Sequence, residues 1–579
     1  MVKKAQKLQY SDLETKVFAY DASTKVESDV LLKNQDNLIA TLDLFMQKQC
    51  KLSSSNVYIY CSQELIIPEL LEFYFSKNIN LINQSVLVKD KSKDSCCYSW
   101  VAEDEYCSNH EVVLKQKPYG FFDDVVLSEI IFGSYSSDKD EESKLILGEI
   151  LKYRILVFDT NKLIKFKYIM ERLIRSLDCG YITLGENLIK IPLNISVVMI
   201  GDVCLQDSLE SFNDYTINKV FDFCVEPKEE INFSEETIND YCDLINYSAS
   251  KLGFSLEGDS YPLLVLHSNS ICEDNTKLTL HRSELNTMIE HSSLFSKTKY
   301  LTRQNFKDLS SYQELLYREM SDEFLSEYFL DYVKVCTSSS VVGQINSLAI
   351  IESGNKFYGI PSRLTANVYH GDGEIIHIDK KSDLSGNIHT KSTYIINSAL
   401  HNMMDTCSEF DISGNITFEQ SYSEIDGDSA TSAEFCVLLS AISNIPLKQS
   451  IGVTGSMDQF GGIQCVGGVN EKIIGFYNLC SKRGLDGTHG VVIPASNKNN
   501  LFLPDYILND IKNEKFTIYT ASHIDEVVSI VTGMDCGEKD DGGIYTPDSV
   551  YGVTQEKLLN INSKEKGFFA KLLGFFKGA

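Results

Sequence analysis

The chain has 579 residues, 43% hydrophobic and 23% charged, which is length for three or four units of about 150 residues each and a composition that excludes a disordered polymer. Its 53 Lys and Arg against 81 Asp and Glu leave a net charge of −28. Nucleic-acid binding rests on neutralising phosphates, so nucleic acid is excluded as the main partner. No apolar run approaches the ~20 residues of a membrane span, and no apolar stretch follows the N-terminal lysines as a secretory signal requires. The sixteen cysteines are scattered without a Cys-x-x-Cys pair. They read as reduced thiols, with Cys224, Cys436 and Cys480 in apolar stretches expected to be buried, which implies a cytoplasmic protein.

In chain order, Leu38 to Met46 predicts a helix, Asn56 to Cys61 a buried strand, and Ile67 to Phe75 another helix. The first glycine is Gly120, so a phosphate-cradling P-loop, whose glycines turn backbone N–H groups towards the anion, cannot exist before it. The strand-to-helix junction that would carry one reads Ser62-Gln63-Glu64. Further on, Arg154 to Thr160 predicts a strand ending in Asp159, Lys165 to Leu177 a helix, and Ile195 to Gly201 a second strand. An apolar strand ending in an acid resembles a Walker B element, but Thr160 stands where the partner acid belongs, so Asp159 reads as a cap. From Glu229 to Tyr317 apolar residues recur at helical intervals, as in Ile238-Tyr241-Leu244-Ile245 and Leu285-Met288-Ile289. Gly533 to Gly552 reads as a linker. Lys566 to Lys577 forms a basic amphipathic tail, able to touch a membrane surface but read as docking on protein.

The chemistry lies between Asp411 and Pro494. Asp426-Gly427-Asp428-Ser429-Ala430 precedes an apolar helical run from Ala433 to Ile442, and Thr431 with Glu434 makes a capping box that starts this helix just after Ser429. A serine beside the N–H groups of a helix N-terminus has the requirement for oxyanion stabilisation, but it needs a base. A Ser-His-Asp triad is disfavoured, because Ala430-Thr431 follows where chymotrypsin-like enzymes have two glycines and Thr431 breaks the G-x-S-x-G elbow. Lysine is the alternative. The strand Ile451-Gly452-Val453-Thr454-Gly455-Ser456 is followed by Gly461-Gly462 and Gly467-Gly468 turns, and Asn470 is placed to cap a helix holding Lys472 among Ile473, Ile474 and Phe476. To act as a base near neutrality Lys472 must lose about three pKa units, roughly 4 kcal/mol of desolvation and like-charge penalty.

These motifs resemble the proteolytic domain of the Lon peptidase family. That family places a nucleophilic serine in D-G-x-S-A, a T-G strand after it, and the catalytic lysine in G-G-x-x-E-K. Here they stand as Asp426 to Ala430, Thr454-Gly455, and Gly467 to Lys472, with the serine and lysine 43 residues apart (472 − 429). Val491 to Pro494 with Asn497 resembles the next strand and asparagine. Gly343 to Ala349 and Gly386-Asn387-Ile388-His389 match the opening strands. The remainder resembles the LonB-like branch, in which an AAA+ module is fused to the peptidase domain. Asn34-Gln35-Asp36, the 56–61 strand, the Asp159 strand and the Ile195 to Asp202 strand fall where that module's elements belong.

The fold class implied is multidomain α/β: a degenerate AAA+-like α/β domain (1–228), a helical lid-like domain (229–325), an α+β Lon-type proteolytic domain (326–533), and a linker with the basic tail (534–579). The resemblance implies a serine endopeptidase in which Ser429 attacks a peptide carbonyl and neutral Lys472 takes its proton, with Thr454 orienting the amine and Asp426 fixing the loop. Asp428 replaces the proline that most Lon enzymes carry, and so either restrains Lys472 or points away. The expected substrates are unfolded or damaged proteins, and the expected assembly is a ring-shaped homohexamer. No cofactor or metal is expected: ATP and Mg²⁺ are implied by the family but lack a P-loop here. The alternatives are a catalytically silenced assembly that binds unfolded protein, and an ATP-dependent protease with an unrecognised nucleotide site.

Overall fold

A computed structural model describes residues 6–13, 18, 20, 27–50, 54–62, 65–90, 97–102, 105, 110–122, 128–136, 144–163, 165–185, 189–201, 220–330, 332–354, 356–371, 374–378, 387–404, 412–420 and 427–559. The chain divides into two units: Phe18–Cys272 with Thr276–Leu309, and Met1–Val17 with Glu273–Asn275 and Ser310–Ala579.

The first unit is built on short apolar strands that expect burial on both faces. Strands β1 (Val57–Tyr60), β2 (Lys117–Phe122), β3 (Tyr153–Asp159), β4 (Ser196–Gly201) and β5 (Phe223–Val225) form one sheet in the order β5-β1-β4-β3-β2. Every pairing in it is parallel. Side chains alternate with the strand period. Val57, Ile59, Ile155, Val157 and Val198 share a core with helices α1 (Asp36–Cys50) and α2 (Ile67–Lys77). Tyr58, Leu156, Phe158, Val197 and Met199 face the opposite core, with helix α3 (Lys167–Cys179). The predicted elements of this region are therefore present, with ends shifted by at most four residues. Asp159 accepts the Asn161 N–H at 2.9 Å, the capping role expected of it.

Helices α4 (Thr237–Lys251), α5 (Tyr261–Ile271) and α6 (Arg282–Ser293) follow, and Tyr241, Leu244, Ile245, Leu285 and Ile289 are buried as their spacing predicts. These residues join the same core as β1, α1 and α2, so the α/β and helical segments belong to one unit. Cys224 departs from expectation: Cys436 and Cys480 are buried but Cys224 is exposed, because it is the outward residue of the alternating strand β5.

The second unit is organised by a long hairpin, β6 (Gln344–Ser353) and β7 (Lys356–His370), at the centre of an eight-stranded sheet. Beyond β7 lie β9 (Ile412–Phe418) and then β8 (Ile375–His377). Beyond β6 lie β10 (Ile451–Val453), β13 (His489–Pro494), β14 (Phe516–Ala521) and the short strand Gln6–Lys7. Two further short strands, β11 (Ser456–Met457) and β12 (Ile463–Gln464), form a separate hairpin. One face of the large sheet is covered by helices α7 (Asn387–Met404), α8 (Thr431–Ser443) and α11 (Ile524–Thr532), whose apolar residues join Ile345, Ile451 and Val453. The other is covered by α9 (Val469–Arg483) and α10 (Asp505–Lys512), which join Leu348, Val491 and Ile493.

Two readings are corrected here. Asn387 to His389 begin helix α7 and are not a strand; Gly386 lies outside the described residues. The stretch from Met534, with the low hydropathy of a linker, is folded as far as residue 559. Tyr545, Val550, Tyr551 and Leu558 are buried in the core of this unit, and the Tyr545 and Tyr551 hydroxyls donate to Met403 O (2.9 Å) and Asp525 Oδ1 (2.6 Å). A few aromatic anchors suffice to hold an otherwise polar segment. The basic tail, 566–577, lies outside the described residues. Among those residues, no helix is long and apolar enough to cross a membrane.

Candidate active site

Parallel strand β10 runs into Thr454-Gly455, and the N-terminus of α8 and the first turn of α9 meet there from opposite faces of the sheet. Ligand sites in sheets of this kind form outside the carboxyl ends of strands. The Gly455 N–H and the Thr454 hydroxyl donate to the Ser429 carbonyl at 2.7 and 3.3 Å. The Ser432 N–H returns to Gly455 O at 3.1 Å. These bonds tie the serine's backbone to the end of β10, leaving the residue half-buried at the mouth of α8.

Helix α8 begins at Thr431, just after Ser429 as expected, but not through a capping box. The Thr431 hydroxyl donates to Asp428 O at 2.6 Å. Glu434 does not reach back to the helix start. Its side chain is 0% exposed and its carboxylate lies 3.8 Å from His377 Nε2 on β8, which is equally buried. The signal for this in the sequence is a lone acid inside an apolar helical run.

Lys472 is 3% exposed. Its Nζ donates to Thr454 Oγ1 at 3.2 Å, the same hydroxyl that bonds the Ser429 carbonyl. Thr454 thus bridges the two predicted residues; among the described residues no direct Ser429–Lys472 hydrogen bond occurs, and such bonds are often long before substrate binds. Burial lowers the Lys472 pKa to about 8, against smaller opposing pulls from Glu471 and Asp428. Desolvation penalises the charged ammonium and so favours the free amine. Asp428 is therefore a charge that Lys472 senses. Asp426 lies outside the described residues.

The depth of Lys472 follows from a backbone contact. A Cβ on Gly359 of β7 would fall 1.8 Å from Glu471 O, and one on Gly475 of α9 would fall 2.0 Å from Gly359 O. Only two glycines allow strand and helix to approach this closely. The cap of α9 differs from expectation: Gly468, in the left-handed region at φ 64, holds that position. Asn470 instead lies inside the helix, where its amide donates to Asn500 O at 2.8 Å and its Oδ1 accepts from Phe502 N at 2.7 Å. Asn497, also singled out by the sequence, clamps the turn before α9 through both backbone groups of Val466, each at 3.0 Å.

Residues 322–533, which contain this site, match the family described as the Lon protease (S16) C-terminal proteolytic domain. A Lon protease homolog of Haemophilus influenzae is 32% identical over 388 residues, covering 65% of this chain and 63% of that protein. One from Escherichia coli is 31% identical over 362 residues, covering 59% of each. An archaeal Lon protease of Thermococcus kodakarensis is 27% identical over 245 residues, 42% of this chain and 35% of its own. The alignments with the two bacterial relatives thus span about three fifths of those proteins' length. Residues 322–533 of this mixed α/β chain are thus a Lon-type proteolytic domain, and it is through them that the chain is similar to the Lon peptidase family.

Proposed function

We propose that the chain is a serine endopeptidase that hydrolyses unfolded or damaged proteins with a Ser429–Lys472 dyad. The observation that carries this reading is the buried Lys472 amine, lowered to about 8 and held by the threonine that also holds the Ser429 backbone. Ser429 Oγ attacks the scissile carbonyl carbon while neutral Lys472 takes the hydroxyl proton. The N–H groups of Thr431 and Ser432 are bonded to Asp428 O and Gly455 O, so stabilising the developing oxyanion is assigned to those of Ser429 and Ala430. The C–N bond then breaks, the amine leaves with the proton from Lys472, and water releases the acyl group from the serine ester. Thr454 positions the Lys472 amine. In this reading the protein works in the cytoplasm as a closed homohexameric ring that admits only chains already loose.

The 18–309 unit is proposed as a degenerate AAA+-like module, supported by its parallel sheet in which the 56–61 strand is flanked by the fourth and fifth strands. Its residues do not fit nucleoside triphosphate. At the end of β1, where glycines would offer N–H groups to phosphate, Glu229 Oε1 accepts the Ser62 N–H at 3.1 Å. The first turn of α2 carries Glu69, paired with Arg282 at 2.8 Å. Carboxylates stand where an anion would bind, so ATP and Mg²⁺ enter no step. A second reading, a silenced assembly that only binds unfolded protein, is favoured by one observation: Asp428 pulls the Lys472 amine towards its protonated form.

Labelling with a fluorophosphonate separates these readings. An active dyad gives an adduct mapped to Ser429 by mass spectrometry and lost in Lys472→Ala; a wild type that is not labelled up to pH 9 contradicts it.

A further inference from the structure

In the dyad reading, the Lys472 amine serves only at the depth where Nζ meets Thr454 Oγ1 at 3.2 Å, and a misplacement of about 1 Å at such a site costs on the order of a hundredfold in rate. That depth depends on how α9 is seated. Its far end is held by Arg483, which donates to Val335 O at 2.6 Å, and by Lys482, paired with Asp322 at 2.5 Å. Its near end, the turn that carries Lys472, begins at Gly468, which has no side chain to cap it. The Asn470 side chain holds this turn instead. Its amide donates to Asn500 O and its Oδ1 accepts from Phe502 N, so both partners are backbone atoms of one short segment.

That segment is itself braced on two sides. Asn500 Oδ1 accepts from Asn497 Nδ2 at 3.0 Å, and Asn497 clamps Val466 just ahead of α9. On the other side the Asn500 amide donates to Glu273 O at 2.5 Å, and the Asn275 N–H donates to Asn499 O at 2.9 Å. Glu273–Asn275 belong to this unit, although the residues before and after them in the chain belong to the other. Glu273 has a left-handed backbone at φ 49, a conformation that residues other than glycine rarely adopt and that persists where the surroundings hold it. The asparagines at 470, 497 and 500 thus link separate stretches of backbone, and none of these bonds involves a charged side chain. Asparagine suits the task because it offers a donor and an acceptor at once and adds no carboxylate near the amine. The charged groups acting on Lys472 are Glu471 beside it and Asp428 ahead of α8, with Lys356 of β7 acting in turn on Glu471.

We infer that Asn470 is a positioning residue for Lys472, with Asn500 as its outer support: together they keep the first turn of α9 seated in the site and the amine out of water. The inference rests on the dyad reading for its purpose, but its test does not need the serine. In full-length Ser429→Ala protein, the pH dependence of Lys472 modification by acetic anhydride, followed by mass spectrometry, gives the titration midpoint of the amine, since only the neutral form reacts. The expected midpoint in this parent is near 8. Adding Asn470→Ala should raise it by about one pH unit or more, towards the 10.5 of an ordinary lysine, and adding Asn500→Ala should raise it by less. With Ser429 restored, Asn470→Ala should lower kcat at pH 7 by about tenfold, the loss of neutral amine that one pH unit makes, with KM little changed and the deficit shrinking as pH rises. A lower melting point with an unmoved midpoint would make the asparagines structural only and overturns the inference. If Asn470→Ala does not fold, Asn500→Ala, altered nearer the rim, decides alone: it raises the midpoint or the inference falls. A parent midpoint already near 10.5 overturns the dyad reading and this inference together, whereas a midpoint near 8 that neither variant moves overturns this inference alone.

Discussion

At the scale of single residues, the proposed chemistry depends on the cost of burying one amine. An ordinary lysine is protonated at pH 7, and the Lys472 amine becomes available because burial outweighs the attraction of Glu471 and Asp428. Turnover should therefore rise with pH through a midpoint near 8. In Asp428→Asn, which removes a charge that favours the ammonium, the midpoint should move to lower pH. A kcat/KM profile between pH 6 and 10 measures both, and a midpoint unmoved by the substitution removes Asp428 from the account. The sign for stability is also fixed. Below about 8 folded and unfolded chains both carry the proton and burial costs roughly 3 kcal/mol; the cost is relieved as pH rises from 8 towards 10.5, where only the unfolded state still binds it. Thr454 gives a second check. Thr454→Val removes the acceptor of the Lys472 hydrogen bond, a loss of about 1.5–3 kcal/mol, and should lower kcat by about 10- to 100-fold with KM little changed. Thr454→Ser, which keeps the hydroxyl, should recover most of it; equal loss in both variants would mean that Thr454 acts by packing alone.

At the scale of elements, the site is held by contacts that pattern alone does not reveal. The serine, the threonine and the lysine were legible because their motifs are local and ordered along the chain. The start of α8 at Thr431 was legible too, but its cause was not: Glu434 satisfies a local capping rule on paper, yet its carboxylate is buried 3.8 Å from a histidine 57 residues upstream (434 − 377). Asn470 fits an N-cap by residue type, but Gly468 already occupies the left-handed geometry that ends the turn. Glu229 at the Ser62 N–H and Gly359 against Glu471 are contacts over 167 and 112 residues, invisible to any periodicity. Two predictions belong here. Gly359→Ala forces a Cβ into the Glu471 carbonyl and should cost about 1–3 kcal/mol, read as a melting point lower by several degrees, together with reduced activity as α9 withdraws Lys472. An unchanged melt would show that β7 and α9 yield freely. Glu434→Ala removes a buried carboxylate 3.8 Å from His377 Nε2 and should lower the melting point, whereas replacing both by leucine should recover much of the loss. Equal melting points for the single and double variants would show that the pair is not coupled.

At the scale of the whole molecule, two halves of similar size carry unequal signals. Residues 322–533 carry their likeness to the Lon-type domain in short motifs, which is why it was readable. The other half was readable only as a succession of strands and helices. The absence of glycine before Gly120 indicated what its β1–α2 junction cannot do, and the structure adds Glu229 at the Ser62 N–H, a carboxylate in a place suited to phosphate. The account accordingly expects no heat of ATP–Mg²⁺ binding by calorimetry at protein concentrations of tens of micromolar; saturable binding would require a nucleotide site built from other residues. The segment 534–559 was the least legible, since its polar composition is that of a linker while Tyr545 and Tyr551 supply the anchoring.

The most direct test of the central claim is degradation of unfolded casein at pH 8.5 by wild type, Ser429→Ala and Lys472→Ala, each with and without ATP–Mg²⁺. The account predicts cleavage by wild type that is equal in both conditions and absent from both variants. Cleavage that survives Ser429→Ala, or a wild type that leaves casein intact at this pH, would contradict it.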